Sequence, residues 1–470
     1  MTNDFFKTSV AYTIANFGAK GINLLLTFLV IRFLEPNLFA EIDLLLSYVL
    51  YGALIISFSI DTAVSRFVHD SNILKAKYIS NGVIFIHAIF LVFAAIVFFI
   101  FTSFQENIII SKYLFSFLTL VYTYTMSNYI SALLRNLFKV KEFVYFLLLP
   151  SILNLSITVI LFSLNKFNLD FYLYSIISSS LTGIILGFWY IKNEFTYSFN
   201  LKIITSLLIY SLPIFISAVL LQFIPVFQKD YIGAISISIL AIYAFSTKFM
   251  IIFQTLNQSI YSIITPYSFK NHNNKEFKIK LDLIFNISLL ALSTLLFFLI
   301  ISLGFFIDLF YNDIYQKSIR YILILSIPIF LDACYLFTSI YFSLNKNPKY
   351  YLYNDIVYFV CFLLGIYFFA NNSISSIIFP AVFASIFKLF SSIFFQIKQK
   401  TFFLKKTTIV SIVLFVFYTI TSFYFYNKVN HVMIKIYAAL FYFVYLLINT
   451  DYILRLKNYL IYNSSFETNE

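Results

Sequence analysis

The stretch YTIANFGAKGINLLLTFLVIRF, residues 12–33, is an apolar run that carries a lysine, Lys20, near its middle. About 20 apolar residues in a helix cross the hydrocarbon core of a membrane. In a span over residues 8–33, the Lys20 side chain cannot reach either interface in full, and a cation at the bilayer centre costs about 3 kcal/mol. The stretch therefore predicts a membrane-spanning helix whose lysine faces a polar environment inside the protein.

The composition of the whole chain agrees with this first helix. Of 470 residues, 61% are hydrophobic and 11% are charged, whereas about a quarter of the residues of a soluble domain are charged. A soluble core cannot bury this much apolar surface, because surface grows too fast with size. We therefore predict an all-α polytopic membrane protein that is solvated by lipid along most of its length.

Windows of about 20 apolar residues divide the chain into about 14 transmembrane helices. The first run is too long for the apolar region of a signal peptide, so we expect it to stay in the mature protein. The two cysteines, Cys334 and Cys361, lie inside apolar runs and predict neither a disulfide framework nor a metal site. The predicted spans are 8–33, 40–62, 80–103, 111–134, 143–165, 170–191, 203–227, 234–263, 281–306, 318–343, 353–371, 374–397, 407–426 and 433–456.

The basic residues predict the orientation of these helices. With the N-terminus in the cytoplasm, most of the 32 lysines and arginines fall in segments on the cytoplasmic side, as the positive-inside rule requires. Both termini are then cytoplasmic. The net charge of +12 is spread over many loops and forms no single patch, so no nucleic-acid partner is predicted. Every loop is short, and the function is therefore expected within the bilayer.

The first helix carries one polar stripe. Its members step by four, three and four residues, which places them on a single helical face. The glycines Gly18 and Gly21 are expected to leave room around Lys20. We interpret the stripe as the wall of a polar cavity; the alternative is a structural lysine bonded to carbonyl groups of a neighbouring helix. The stripe consists of Asn16, Lys20, Asn23 and Thr27.

The seventh predicted span repeats this spacing with Ser206, Tyr210, Pro213 and Ser217. The loops after the fourth and tenth spans, and the ends of the second and eighth, also correspond. These internal correspondences predict two homologous six-helix lobes around a central cavity, followed by two C-terminal helices. Because six is even, both lobes would cross the membrane in the same orientation, as parallel repeats do in transporters. The predicted domains are 1–200, 201–400 and 401–470.

Four further spans carry polar stripes, which is expected of helices around an aqueous cavity. In the eighth span Lys248 lies beside the stripe, and its alternative is an ion pair with Asp332. For Lys388, in the twelfth span, the alternative is a side chain that extends to the cytoplasmic interface. The stripes are Tyr124, Asn128, Ser131 and Arg135 in the fourth span; Tyr243, Thr247, Met250, Gln254, Asn257 and Tyr261 in the eighth; Asp332, Tyr335 and Ser339 in the tenth; and Ser385, Lys388, Ser392 and Gln396 in the twelfth.

Two other pairs are expected to be structural. Asp61 and Arg66, at the end of the second span, are typical of an ordinary helix-end pair at the membrane surface. Gly183 and Gly187 form a GxxxG pair in the sixth span, and this spacing is typical of close packing between membrane helices.

Several segments together resemble one family. YTIANFGAKGINLLLTFLVIRFLEPNLFAEIDLLLSY at 12–48 is similar to the first helix, turn and second helix of Wzx-type polysaccharide-biosynthesis proteins, the flippases for O-antigen or capsule repeat units. SIDTAVSRFVHD at 59–70, SALLRNLFKVKEFVYF at 131–146 and ILAIYAFSTKF at 239–249 resemble the family's second-helix end, fourth-to-fifth loop and eighth-helix start. Ala40 stands where the turn usually has glycine, which leaves the start of the second helix open.

The resemblance implies a fold of two lobes that open alternately inward and outward, within the superfamily of multidrug exporters and lipid-linked precursor flippases. The implied substrate is an undecaprenyl-diphosphate-linked oligosaccharide, carried from the cytoplasmic to the outer face of the bacterial inner membrane for O-antigen, capsule or a related polysaccharide. Membrane lipid, a polysaccharide polymerase and a chain-length regulator are the implied partners. No catalytic residue, metal or cofactor is expected, apart from coupling to a proton or sodium gradient.

The candidate site residues follow from this substrate. Fixed cations in a cavity would offset part of the cost of moving a diphosphate through a low-dielectric slab, and lysine is a compact phosphate-binding charge. We therefore expect Lys20 and Lys248 to bind the diphosphate, Lys388 and Arg66 to admit it from the cytoplasmic side, and Asp332 to couple an ion. The expected cavity-lining polar residues are Asn16, Asn23, Thr27, Tyr210, Gln254 and Asn257.

Two other classes of protein are alternatives. A drug exporter of the same superfamily would be expected to carry an acidic residue in the first helix, where this chain has Lys20. A membrane enzyme, such as a glycan polymerase, would be expected to place acidic, arginine or histidine clusters on a large outer loop. The predicted outer loops are short, so the sequence favours a flippase.

Overall fold

The structure is a computed structural model that describes residues 2–68, 72–104, 109–196, 198–271, 277–311, 313–344, 349–369, 375–398, 406–425, 441–450 and 454. Over these residues the chain is helical apart from short turns. Eleven helices in this described part are long and apolar enough to cross a membrane. The prediction of an all-α polytopic membrane protein is therefore confirmed.

Fifteen α-helices, labelled here in chain order, make up most of the described chain. They are α1 (Thr2–Phe33), α2 (Pro36–Ser57), α3 (Ile60–Phe67), α4 (Asn72–Phe104), α5 (Ile109–Lys112), α6 (Leu114–Asn136), α7 (Val140–Ser163), α8 (Leu169–Ile191), α9 (Leu201–Ile235), α10 (Ile237–Asn271), α11 (Phe277–Phe310), α12 (Ser318–Leu344), α13 (Lys349–Phe369), α14 (Ser375–Lys398) and α15 (Lys406–Phe425). Residues 441–448 are also helical.

Thirteen of the fourteen predicted spans fall on these helices, and the last, 433–456, lies largely outside the described residues. The predicted number exceeds eleven partly because α6 has the length of a span but a low hydropathy, since threonine, serine, tyrosine and asparagine fill much of it. Three predicted ends fall eight residues short: α4 begins at Asn72 rather than 80, α9 continues to Ile235 past 227, and α10 continues to Asn271 past 263. Lys229 and Asp230, which the sequence assigned to a loop, are therefore helical.

The predicted second span, 40–62, is broken rather than continuous. Phe58 and Ser59 have φ values of 47° and 54°, a left-handed conformation that is sterically costly for L-residues with side chains. The break ends α2 at Ser57 and starts α3 at Ile60. The ring of Phe58 stacks on Phe215 of α9, with centroids 4.0 Å apart, and this packing holds the strained residue in place.

The chain folds into two compact units, Met1–Ala241 and Ile242–Glu470. In the first unit α1 packs on α7, α6 packs on α2, α7 and α8, and α9 packs on α2, α3 and α4. In the second unit α13 and α14 form the most extensive helix pair, and α12 packs on α11, α14 and α15. The predicted domain boundaries at residues 200 and 400 stay predictions.

Two glycine positions allow helices to approach closely. A Cβ at Gly187 would lie 2.6 Å from Cγ2 of Ile130, and one at Gly183 would lie 2.9 Å from Cγ of Pro150. Both distances are shorter than a van der Waals contact. The predicted packing role of the GxxxG pair is therefore confirmed, because α8 meets α6 and α7 through these positions.

Candidate functional site

Helix α1 has three distinct faces. Ile14 and Leu25 are 65% and 59% exposed and form an apolar exposed face, while Ala15, Ala19, Leu26 and Val30 are buried in a second face. At 3.6 residues per turn, the predicted polar stripe lies roughly 130–170° around the axis from the apolar exposed face. Lys20 and Asn23 on that stripe are exposed. The exposed polar face of α1 is thus separate from its exposed apolar face.

The two glycines beside Lys20 do not open space on its polar face. A Cβ at Gly21 would meet no atom within 4 Å, but at 3.6 residues per turn Gly21 lies beside the exposed apolar face, roughly 100° around the axis from Lys20. Gly18 does not leave such room, since a Cβ there would lie 3.1 Å from Cδ2 of Leu148 on α7. Gly18 instead allows α1 to pack on α7. Asn16 and Thr27 bond within α1, donating to the carbonyls of Tyr12 and Asn23.

A charged cluster in the second unit joins three helices. Nζ of Lys388 on α14 lies 3.1 Å from Oδ1 of Asp355 on α13 and 3.8 Å from Oδ1 of Asp332 on α12. The ammonium also lies over the rings of Tyr335 and Tyr358, 4.2 Å and 5.2 Å from their centroids. Asp355 and Lys388 are buried, whereas the Asp332 side chain is 52% exposed. We call Asp332, Asp355 and Lys388 the Lys388 cluster.

The polar stripe of α14 is buried against other helices and does not line an aqueous cavity. Ser392 exchanges a hydrogen bond of 2.9 Å with Thr338 of α12, and Gln396 donates to the Thr338 carbonyl. Ser391 donates to the side chain of Asn354 on α13. The stripe therefore packs against α12 and α13, and Lys388 reaches carboxylates of those helices instead of the cytoplasmic interface.

In the described part of the chain, the Lys388 cluster brings one ammonium to two carboxylates. A carboxylate in such a cluster can take up a proton or hold a small cation. The cluster contains Asp332, the predicted ion-coupling residue, and adds Asp355, which the sequence analysis missed although it is one of few acidic residues inside a predicted span.

A second pair of polar contacts joins α2 to α9 in the first unit. Nζ of Lys229 lies 2.6 Å from Oδ2 of Asp43, whose side chain is 1% exposed, and donates to Oγ of Ser47 over 2.7 Å. Next to it, the hydroxyl of Tyr48 donates to Oδ1 of Asp230 over 2.5 Å. These contacts explain why the helix of α9 continues through two charged residues. Sequence reasoning missed them because Lys229 was placed in a loop.

A cavity of about 260 Å³ lies in the first unit, beside the break between α2 and α3. The predicted stripe of α6 contributes Asn128, Ser131 and Arg135 to its wall, and Tyr124 lies outside the lining. Asp61 faces the cavity from α3, within electrostatic range of Arg135. We call it the α6 cavity, and it is lined by Ser57, Asp61, Ile86, Thr125, Asn128, Tyr129, Ser131, Ala132 and Arg135.

The remaining predicted site residues are dispersed over other helices. Arg66 is exposed in the last turn of α3, and Lys248 is partly buried on α10. Tyr210 on α9 is exposed and packs edge-on against Phe67. Gln254 on α10 is exposed. Asn257 is buried and donates to the carbonyl of Ile329 on α12 over 3.3 Å, so it is a contact between helices.

The fold is shared with solved membrane transporters. No protein-family model matches the chain, and a search of curated proteins returns no match. A lipid II flippase, MurJ, in an inward closed conformation has a TM-score of 0.70 at 15% identity, covering 94% of this chain and 100% of that one. An inward-facing multidrug resistance transporter of the MATE family has a TM-score of 0.63 at 13% identity, covering 83% and 96%.

A third solved structure with this fold is described by the polarity of its own binding pocket. It is a MOP superfamily transporter from Pyrococcus furiosus, described as having a binding pocket of reversed polarity that suggests a different function. Its TM-score is 0.61 at 14% identity, covering 84% of this chain and 96% of that one. At these identities the likenesses establish the fold, and the substrate must be argued from the residues of this chain.

The buried pair between Asp43 and Lys229 predicts a large effect of Asp43→Asn on stability. The substitution leaves the Lys229 ammonium without its carboxylate at a buried site, which costs about 3–5 kcal/mol in comparable pairs. We expect the thermal unfolding midpoint of the detergent-purified protein to fall by several degrees. Exchange of the two charges, Asp43→Lys with Lys229→Asp, is expected to recover at least half of the loss.

Glu41→Gln is the matched control on the same helix. Glu41 pairs with Lys112 at 3.4 Å, but the lysine is largely exposed, and such pairs contribute little. Equal midpoints for Asp43→Asn and Glu41→Gln would contradict the assigned role of the buried pair.

Proposed function

We propose that the chain flips an undecaprenyl-diphosphate-linked oligosaccharide from the cytoplasmic to the outer face of the bacterial inner membrane. The observation that carries the proposal is the position of Lys20, a cation on an exposed face of a membrane helix that is separate from the helix's exposed apolar face. A lysine so placed suits an anionic group that must pass through the membrane. The shared fold of a lipid II flippase supports the same class of substrate.

Diphosphate binding is the role proposed for Lys20. A diphosphate loses its hydration when it enters a low-dielectric region, and a fixed ammonium group offsets part of that cost. Lys248 is proposed as a second contact of the diphosphate, and Arg66, exposed at the end of α3, as a cation that attracts the headgroup before it is bound. The prenyl chain would remain in lipid.

Ion coupling is the role proposed for the Lys388 cluster. Carboxylates and a diphosphate compete for the same ammonium group, since each provides oxygen atoms to a lysine. A proton or sodium ion that binds at the half-exposed Asp332 would weaken its hold on Lys388. Lys388 would then be held by Asp355 alone, and its proposed contact with the diphosphate requires that this pair also open during the transport cycle.

Drug export is the second candidate function. A multidrug transporter of the MATE family shares the fold, and the two carboxylates of the Lys388 cluster would suit a lipophilic cation. The exposed lysine of α1 opposes this function, because it would repel such a substrate. A membrane enzyme, such as a glycan polymerase, is distinguished from both transporters by the product that accumulates in the assay below.

Loss of the gene in its host is predicted to trap complete lipid-linked repeat units on the cytoplasmic face. We expect the wild-type gene and Lys20→Arg to relieve the accumulation, and Lys20→Ala to relieve it at least tenfold less, because alanine removes the diphosphate contact. The measurement is the amount of lipid-linked glycan accessible in inverted and in right-side-out vesicles. Lys166→Ala, at an exposed lysine between α7 and α8, is the control.

Each of the other outcomes would contradict a different part of the proposed function. Full relief by Lys20→Ala would contradict the role of Lys20 and leave the flippase. Single repeat units on the outer face would indicate a polymerase. Unchanged lipid-linked sugars would contradict the glycan substrate and favour drug export.

Asp332→Asn is predicted to abolish the stimulation of flipping by an ion gradient in proteoliposomes, since an amide cannot take up the coupling proton or hold the cation. Flipping without a gradient should change less than threefold. The readout is the ratio of flipping rates with and without an imposed proton or sodium gradient. Asp170→Asn, at an exposed aspartate on α8, is the control. An unchanged ratio in Asp332→Asn would rule out this residue as the coupling site.

A further inference from the structure

The break between α2 and α3 shapes one wall of the α6 cavity. Ser57 and Asp61 both line the cavity and lie on either side of the left-handed residues Phe58 and Ser59. Two strained residues in succession are costly, and such strain is concentrated at functional sites. α2 alone is long enough to cross the membrane, so the break lies at an end of this span, beside the cavity. Strain beside a polar cavity favours a functional role for the cavity.

The groups that line the α6 cavity are mostly hydrogen-bond acceptors with a few donors. The hydroxyls of Thr125 and Tyr129 donate to the carbonyls of Val121 and Ile79, each over 2.7 Å, and Ser57 donates to the carbonyl of Leu54 over 3.0 Å. These hydroxyls can therefore only accept from a ligand. The Asp61 carboxylate also accepts. The donors are the guanidinium of Arg135, the hydroxyl of Ser131 and the amide of Asn128, which also hydrogen-bonds the hydroxyl of Tyr124.

This inventory matches a ring that carries several hydroxyl groups. Such a ring offers many O–H donors to the acceptors of the wall, and its oxygens can accept from Arg135 and Asn128. Asp61 and Arg135 have opposite formal charges, so the lining has no net formal charge. A volume of about 260 Å³ is near the lower end of small-molecule sites, which start at roughly 300 Å³. It suits one ring rather than a whole repeat unit.

We propose that the α6 cavity binds one neutral sugar residue of the lipid-linked glycan. The inference rests on the proposed flippase function. The substrate would then be bound at two places: its diphosphate by lysine, and one sugar by a separate pocket with no net formal charge. A lipophilic drug would need apolar walls, whereas the apolar side chains here are only Ile86, Ala132 and the ring of Tyr129. The pocket therefore recognises the glycan and not the lipid.

The test compares two probes on the purified full-length protein: farnesyl diphosphate, and farnesyl diphosphate that carries one glucose. We expect the wild type to bind the glucosylated probe about tenfold more tightly, since one or two added hydrogen bonds give this factor. Asn128→Ala and Asp61→Asn should each lose most of this preference and keep their affinity for farnesyl diphosphate. Thr119→Ala, on the same helix but outside the cavity lining, should keep the preference.

The outcomes separate this inference from the function on which it rests. A wild type that binds both probes equally, or cavity variants that keep the tenfold preference, would overturn the sugar site and leave the flippase. Equal loss of both probes in Asn128→Ala and Asp61→Asn would also overturn it, because the effect would not be specific to the sugar. A wild type that binds neither probe would contradict the proposed function and the sugar site together. Thermal unfolding midpoints of all variants show whether each is folded.

Discussion

The cost of a charge in hydrocarbon is the constraint on which the rest of this structure depends. A chain with 11% charged residues keeps only a few of them inside its membrane helices, and each needs a compensating environment. Asp43 and Lys229 form a buried pair between α2 and α9. Lys388 is held by two carboxylates and two tyrosine rings. Lys20 lies on the exposed polar face of α1, where the proposed function gives it a role in binding substrate.

The three arrangements suit three different tasks. A balanced buried pair fixes two helices against each other and has no need of a ligand. A cluster with two carboxylates, such as that of Lys388, changes its charge when an ion joins it, so it suits coupling. A cation on an exposed polar face, such as Lys20, suits a mobile anion. Together with the α6 cavity, these sites would recognise the charged and the sugar parts of a lipid-linked glycan separately.

The helices could be predicted from the sequence because apolar runs of span length dominate it, and thirteen predicted spans fall on observed helices. The break at Phe58 and Ser59 could not, since no glycine or proline marks it and the strain is held by packing on Phe215. Periodicity identified the polar faces of α6 and α14 equally well. One lines a cavity and the other is buried, because spacing defines a face but not what covers it. The partners of Lys229 and Lys388 lie on other helices, and a single sequence does not show such pairs.

The proposed substrate is an anionic, diphosphate-linked lipid. It is tested by reconstitution of the pure protein into liposomes with a fluorescent polyprenyl-diphosphate oligosaccharide in one leaflet, followed by quenching of the probe that reaches the other leaflet. We expect rapid exchange of this lipid between leaflets and no accelerated passage of the lipophilic cation tetraphenylphosphonium. Passage of the cation with no movement of the lipid would contradict the proposed function and identify the protein as a drug exporter.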